Sequence, residues 1–156
     1  DRVVRGRVTG ARGTALLPAI VEAMAPIEPT LIDTDWDAAL AQAASFTTRP
    51  SLVVLLTALD VAGASRGLLG ALPALTRRTR VVVGSVTDAD LPRLAATRTT
   101  SDEVWLAASV ERTLLDAARL SAAIGRLGAD ALSAGPEDLP PRIADRYLEL
   151  KAAGRL

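Results

Sequence analysis

Thr57 and Asp60 are the strongest candidates in this chain for residues that contact a metal ion or a small ligand. They follow the run Leu52–Leu56, which is apolar without alternation and is typical of a strand buried on both faces of a parallel sheet. Ligands of parallel α/β sheets bind beyond the carboxyl ends of the strands, where these two side chains are expected. A hydroxyl and a carboxylate there favour a metal or small-ligand contact. A solvated loop with a helix-capping aspartate is the alternative interpretation.

A second set of polar side chains ends the next predicted strand, Arg80–Val86. The set comprises Ser85, Thr87, Asp88 and Asp90. If the two strands are neighbours, these side chains face the same crevice as Thr57 and Asp60. Turn and cap chemistry accounts for them equally well, so both interpretations stay open.

Asp33, Asp35 and Asp37 have the D-x-D-x-D spacing of a calcium loop. An EF-hand loop needs glycine at its sixth position and glutamate at its twelfth, where this chain has Ala38 and Ala44. The three aspartates are therefore interpreted as helix-capping residues.

Neither the glycine-rich loop nor the basic clusters predict a nucleotide or nucleic-acid site. The loop at residues 10–14 is too short for a phosphate-binding loop and lacks its lysine. The basic clusters have no interleaved aromatic residues and consist of Arg77, Arg78 and Arg80, and of Arg93 and Arg98. Clusters of this kind favour a solvated surface.

The composition excludes several classes of chemistry. The chain has no cysteine and no histidine, which excludes disulfides, thiolate catalysis, Ser-His triads and Cys- or His-based metal sites. Its 18 basic and 18 acidic residues cancel, so it lacks the basic footprint of a general nucleic-acid binder. No apolar run approaches the roughly 20 residues of a membrane span. The length of 156 residues predicts one domain with a core of its own.

The amino-terminal third predicts one strand and two helices. Residues 1–9 alternate valine with arginine, which indicates a short strand near a sheet edge. A helix with one buried face is predicted from the i, i+3, i+4 and i+7 spacing of Leu17, Ile20, Val21 and Met24. A capping box at Thr34–Asp37 begins the second helix. Trp36 and Trp105 are expected to pack in the core, whereas an exposed tryptophan would indicate a partner surface.

The remaining pattern predicts a βαβ unit, a long helix, a weak strand and a final helix. A helix that starts near Ser65 lies between the two strongest strands, and Pro73 is expected to bend or break it. The later elements are a short helix at 91–96, a long helix at 101–127, a strand at 129–133 and a helix that begins at Pro141. This order predicts an α/β fold with three layers and a mostly parallel sheet.

Several sequence segments resemble the carboxyl-terminal part of a von Willebrand factor A-like domain. The closer similarity is to a bacterial family of unknown function, numbered fifty-eight, whose genes often lie beside those of MoxR-type AAA+ ATPases. The segments that carry the resemblance are Ser51–Thr57, Arg80–Val86, Pro136–Pro141 and Tyr147–Leu156. The resemblance spans residues 1–156 and implies a single Rossmann-like domain without its amino-terminal strands, which would lie in the middle of the sheet.

The resemblance also implies a metal site, which is degenerate in this chain. The family fold binds a divalent cation through a D-x-S-x-S motif, a loop threonine and an aspartate after the strand that matches Leu52–Leu56. The D-x-S-x-S motif is absent, the aspartate position holds Ala58, and only Thr14 answers to the loop threonine. Thr14, Thr57 and Asp60 are the remaining candidate ligands for Mg²⁺, and no cofactor is expected.

The function that the resemblance implies is a non-catalytic adaptor or scaffold domain. Its protein partner would be a MoxR-type AAA+ ATPase, with no nucleic acid involved. The setting would be cytoplasmic, with a membrane anchor upstream in the parent protein. One alternative is an Mg²⁺-dependent ligand-binding domain with its site at the carboxyl ends of the strands. Another is a phosphoacceptor or hydrolase that uses Asp60 and Asp88, although the acidic cluster that a receiver domain needs is missing.

Overall fold

The structure, a computed structural model, describes residues 3–28, 32–45, 51–59 and 65–156. Within these ranges the chain forms a short 3-10 helix, α-helices and β-strands. In chain order the elements are the 3-10 helix Gly13–Ala15, α1 Leu16–Met24, α2 Trp36–Ser45, β1 Leu52–Leu56, α3 Ser65–Thr76, β2 Arg80–Val86, α4 Leu91–Ala96, α5 Ser101–Arg126, β3 Asp130–Ala134 and α6 Leu139–Ala152.

The described strands form one parallel sheet in the order β1-β2-β3. Val54 of β1 is paired with Val82 of β2, which is paired with Asp130 of β3. Helix α3 connects β1 to β2, as the predicted βαβ unit requires, and α4 and α5 connect β2 to β3. The α/β class and the parallel strand direction predicted from the sequence are therefore confirmed.

Strand β2 is the centre of the core because helices cover both of its faces. Val81 belongs to a buried cluster with Leu72 of α3 and Ile124 of α5. Gly84 faces the other side, where an added Cβ would lie 3.3 Å from Cδ1 of Ile143 in α6. The molecule therefore has three layers, formed by α3 with α5, the sheet, and α6, in a layout consistent with a Rossmann-like fold.

Helix α5 begins with a capping box and is followed by a glycine that ends it. The Oγ1 atom of Thr100 accepts a hydrogen bond from the Glu103 amide at 3.3 Å. The Glu103 carboxylate accepts hydrogen bonds from the amides of Thr99 at 2.7 Å and Thr100 at 2.8 Å, which completes a capping box. Gly128 follows the last turn with φ of 84°, a conformation that glycine tolerates best.

Two local expectations about helices differ from the structure. Asp35 caps α2, because its Oδ1 accepts a hydrogen bond from the Ala38 amide at 3.0 Å, in place of the predicted Thr34. Helix α3 continues through Pro73, so of the bend or break expected there the break does not occur. Proline removes one N–H donor from a helix, and the fully buried Leu72 beside it holds this part of α3 against the core.

The amino-terminal segment differs most from what the sequence predicts. Residues 3–9 form no strand. They pack on α1 through Gly6, where an added Cβ would lie 3.0 Å from the carbonyl oxygen of Ala23. Helix α1 forms as predicted but buries none of its residues, so the face with Leu17 and Val21 is not a core face. An alternating pattern specifies a strand only where a sheet edge accepts it, and the described strands pair only with one another.

The two tryptophans have different environments. Trp36 packs against the buried cluster, as expected. Trp105 is 77% exposed on α5, so its predicted burial is wrong. Helix α5 buries Ala107 and Val110, which lie on the opposite side of the helix from position 105.

Among the helices of the described ranges, none has both the length and the apolar character needed to cross a membrane.

Candidate functional site

A cleft lies at the carboxyl ends of the strands, between the sheet, α4 and α5. We call it the carboxyl-end cleft, and its volume is about 330 Å³. Its polar lining includes Ser85, Thr87, Asp88, Thr113 and Ser133. The position is the one at which parallel α/β sheets bind ligands, and the second predicted set of polar residues contributes three of its members.

Hydrogen bonds fix the chain where it leaves β1 beside this cleft. The half-buried Thr57 donates its amide to the carbonyl oxygen of Gly84 at 3.0 Å. The Leu59 amide donates to Oγ of Ser85 at 3.2 Å, and both of these residues are buried. The Ser85 hydroxyl therefore holds the segment after β1 in place, which is a structural role.

The two aspartates near the cleft stabilise the turn that begins α4. Oδ1 of Asp88 accepts a hydrogen bond from the Asp90 amide at 2.8 Å. Oδ1 of Asp90 accepts a hydrogen bond from Nη2 of Arg93 at 3.0 Å. This geometry favours the turn and cap interpretation of both carboxylates over a catalytic pair.

The structure describes two of the three predicted magnesium ligands, Thr14 and Thr57. Thr14 is exposed in the 3-10 helix, which packs mainly on α1, and it does not line the carboxyl-end cleft. Asp60 lies outside the described residues. Within the described ranges, no group of three or more His, Cys, Asp or Glu residues could hold a metal ion. The magnesium site at Thr14, Thr57 and Asp60 therefore stays a prediction.

Displaced pKa values occur on α5 and α6, and each has a structural cause. The amide of Thr100 is the main cause of the lowered pKa of Glu103. A hydrogen bond from Arg112 lowers the pKa of Asp116, and hydrogen bonds to two carboxylates raise the pKa of Arg146. Displaced pKa values often mark catalytic groups, but these belong to a helix cap and to ion pairs outside the carboxyl-end cleft.

Strands β1 and β2 expose an apolar surface toward their carboxyl ends that the sequence does not predict. Val54, Leu56 and Val86 point to the α6 side of the sheet and are 38%, 70% and 60% exposed. We call these three residues the exposed sheet face. Helix α6 packs on β2 and β3 and leaves this part of β1 without a described cover. The predicted burial of β1 on both faces is therefore wrong for one face. The sequence carried one indication of this exposure. Only one helix is predicted after the last strand, and a single helix does not cover the whole of one sheet face.

The outer edge of β1 is also open. In a parallel pair, alternate residues of a strand direct their hydrogen-bonding groups to the same neighbour. The Thr57 amide points toward β2, so the amides of Val53 and Leu55 do as well, and those of Val54 and Leu56 point away. No strand in the described ranges pairs with that edge.

The chain matches no protein-family model, no curated protein and no solved structure. The von Willebrand factor A-like resemblance and the function that it implies therefore stay predictions. The structure shows the coarser class, an α/β protein with a parallel sheet in a Rossmann-like layout.

Proposed function

We propose that this chain is a non-catalytic protein-interaction domain, an adaptor or scaffold, whose partner docks on the exposed sheet face and the open edge of β1. The observation that carries the proposal is the 70% exposure of Leu56 in a strand of a parallel sheet. Parallel sheets are almost always covered on both faces, so this surface is suited to a cover supplied by a partner.

The exposed sheet face offers enough apolar surface to contribute strongly to binding. Full burial of one Val or Leu side chain is worth about 1.5–3 kcal/mol, so Val54, Leu56 and Val86 together represent several kcal/mol. The outward amides of Val54 and Leu56 would add main-chain hydrogen bonds to an extended segment of the partner. A partner strand with an apolar side chain toward the α6 side fits both features.

Two further apolar surfaces support an interaction role. Leu17, Val21 and Met24 are exposed on α1 at i, i+4 and i+7, the spacing of a helix that lies in an apolar groove of a partner. Trp105 is exposed on α5, and tryptophan is enriched among the residues that dominate binding energies. Apolar surface of this extent commonly marks interaction sites.

For the partner we propose a MoxR-type AAA+ ATPase in the cytoplasm. This part of the proposal, and the finer von Willebrand factor A-like classification, depend on the resemblance of segments such as Ser51–Thr57 and Tyr147–Leu156. The parallel strand order β1-β2-β3 is compatible with that classification.

The test is the affinity of the purified domain for a purified MoxR-type AAA+ ATPase, measured by biolayer interferometry. Leu56→Glu places a charge on the exposed sheet face and should weaken binding about tenfold or more, because burial of that charge is costly. The side chain is largely exposed in the free domain, so the fold should tolerate the change. Leu148→Glu is the matched control, since Leu148 is 57% exposed on α6 and should bind like the wild type.

Equal losses of affinity in both variants would reject the exposed sheet face as the docking site. Absence of binding by the wild type would reject the ATPase as the partner. Hydrolysis of phosphoesters in proportion to the concentration of the domain, abolished by Asp60→Ala, would contradict the non-catalytic role.

A further inference from the structure

A second cleft lies at the opposite end of the sheet, beside the amino ends of β1 and β2. We call it the amino-end cleft, and its volume is about 310 Å³. Ser51 and Thr76 contribute hydroxyl-bearing side chains to its lining. Thr79 also lines it, and its Oγ1 donates a hydrogen bond to the carbonyl oxygen of Arg80 at 3.4 Å. The same cleft is lined by four arginines, Arg77, Arg78, Arg80 and Arg155.

The four arginines reach the cleft from three parts of the chain. Arg77 and Arg78 follow the last residue of α3, Arg80 begins β2, and Arg155 follows α6. Nε of Arg80 donates a hydrogen bond to the main-chain carbonyl oxygen of Arg155 at 3.4 Å. The folded chain therefore concentrates positive charge that is dispersed along the sequence.

Within the described residues, no carboxylate forms an ion pair with this cluster, although Asp37 lines the neighbouring groove together with Arg77 and Arg78. Arg98, Arg112 and Arg146 each form an ion pair with a carboxylate. In the same part of the chain, none of the four cleft arginines forms such a pair. The whole chain has a net charge of zero, so the excess is local to the cleft.

Helix ends account for only part of this arrangement. The carboxyl ends of α3 and α6 lie at the cleft, and cations near a helix carboxyl end are stabilised by the helix dipole. Each helix end carries about half a negative elementary charge, so two ends offset about one of the four positive charges. The remaining charge attracts an anion, and the walls of a cleft focus its field.

We propose that the amino-end cleft binds a phosphate-bearing ligand. Guanidinium groups present planar forks of N–H donors that match phosphate oxygens in pairs, and the hydroxyl groups of Ser51 and Thr76 add further donors. The volume is at the lower end of the range for small-molecule sites, which suits a compact phosphate or diphosphate group. The site is separate from the exposed sheet face and does not depend on the proposed protein partner.

An adjacent groove indicates that the ligand could carry an apolar group in addition to its phosphate. Arg77 and Arg78 also line a groove of about 300 Å³ between α2 and α3. Its apolar wall includes Leu40, Ala71 and Leu75, and Asp37 lines its α2 side. A hydrocarbon group attached to the phosphate would contact this wall. The phosphate is common to a soluble ligand and to a lipid headgroup, and the experiment separates the two sources.

The test is calorimetric titration of the domain with inorganic pyrophosphate at low ionic strength. The wild type should bind one pyrophosphate, and added salt should weaken the binding. Arg77→Gln with Arg78→Gln should reduce the affinity about tenfold or more, because each substitution removes a charge-assisted donor. Arg80→Gln is a second, independent variant. Arg142→Gln is the matched control, because Arg142 lies near the start of α6, away from the amino-end cleft, and should bind as the wild type does.

Sedimentation with vesicles of phosphatidic acid, compared with phosphatidylcholine alone, forms the second arm. Binding to the phosphatidic acid vesicles that Arg77→Gln with Arg78→Gln abolishes would identify a lipid headgroup as the source of the phosphate. Binding of pyrophosphate alone would identify a soluble ligand. Absence of binding in both arms would overturn the proposal, and so would an equal loss of affinity in Arg142→Gln.

Discussion

Glu103 and Thr100 close the first turn of α5 through reciprocal hydrogen bonds, and the charge of Glu103 strengthens them. The Thr100 amide, followed by the Thr99 amide, lowers the pKa of the Glu103 carboxyl from its ordinary value of 4.5. Because the pKa is lower in the folded state, the ionised carboxylate stabilises the fold. The contribution is fully present above the ordinary pKa and is lost as the pH falls through the folded-state value.

Glu103→Gln should remove this pH-dependent stabilisation. At neutral pH the variant should unfold at a lower urea concentration than the wild type, and the difference should shrink as the pH falls below about 4.5. Urea unfolding, followed by circular dichroism at a series of pH values, measures this difference in stability between the variant and the wild type. Glu137→Gln is the control, because Glu137 is exposed and has no side-chain hydrogen bond or ion pair in the described structure. A difference that stays constant with pH would contradict the assignment to the charge.

At the scale of the element, local signals predicted most helices and strands because local chemistry decides them. Strands β1 and β2 and helix α4 have the bounds that their apolar runs and turn residues indicate. The errors arise where distant contacts decide the outcome. Residues 3–9 have the alternation of a strand but pack on α1 and pair with no described strand. Pro73 lies within α3, which continues through it beside the buried Leu72.

The contrast between α3 and α1 predicts different costs for the same substitution. Leu72→Ala in α3 should lower the free energy of unfolding by about 2–5 kcal/mol, because Leu72 is fully buried and its truncation leaves a cavity. Leu17→Ala in α1 should change it by less than about 0.5 kcal/mol, because Leu17 is 69% exposed. Urea unfolding of both variants measures the two values. A comparable loss in both would show that α1 contributes to the core.

At the scale of the whole molecule, topology predicted where polar residues would gather but not what they do. The carboxyl-end cleft lies where parallel strands end, and Ser85, Thr87 and Asp88 line it as expected. The hydrogen bonds that Ser85 accepts from the Leu59 amide and Asp88 accepts from the Asp90 amide could not be read from the spacing. The exposed sheet face depends on which strands α6 covers, a relation between elements far apart in the chain, so the pattern of β1 alone could not reveal it.

Amide hydrogen exchange along β1 is the most decisive measurement for the proposed docking surface. NMR follows it with and without a MoxR-type ATPase, the proposed partner. In the free domain the amides of Val53 and Leu55 should exchange slowly because they point toward β2, while those of Val54 and Leu56 should exchange rapidly. The partner should slow exchange at Val54 and Leu56 as its strand pairs with the open edge. Protection confined to other surfaces, with Val54 and Leu56 unchanged in the complex, would contradict a docking site on β1.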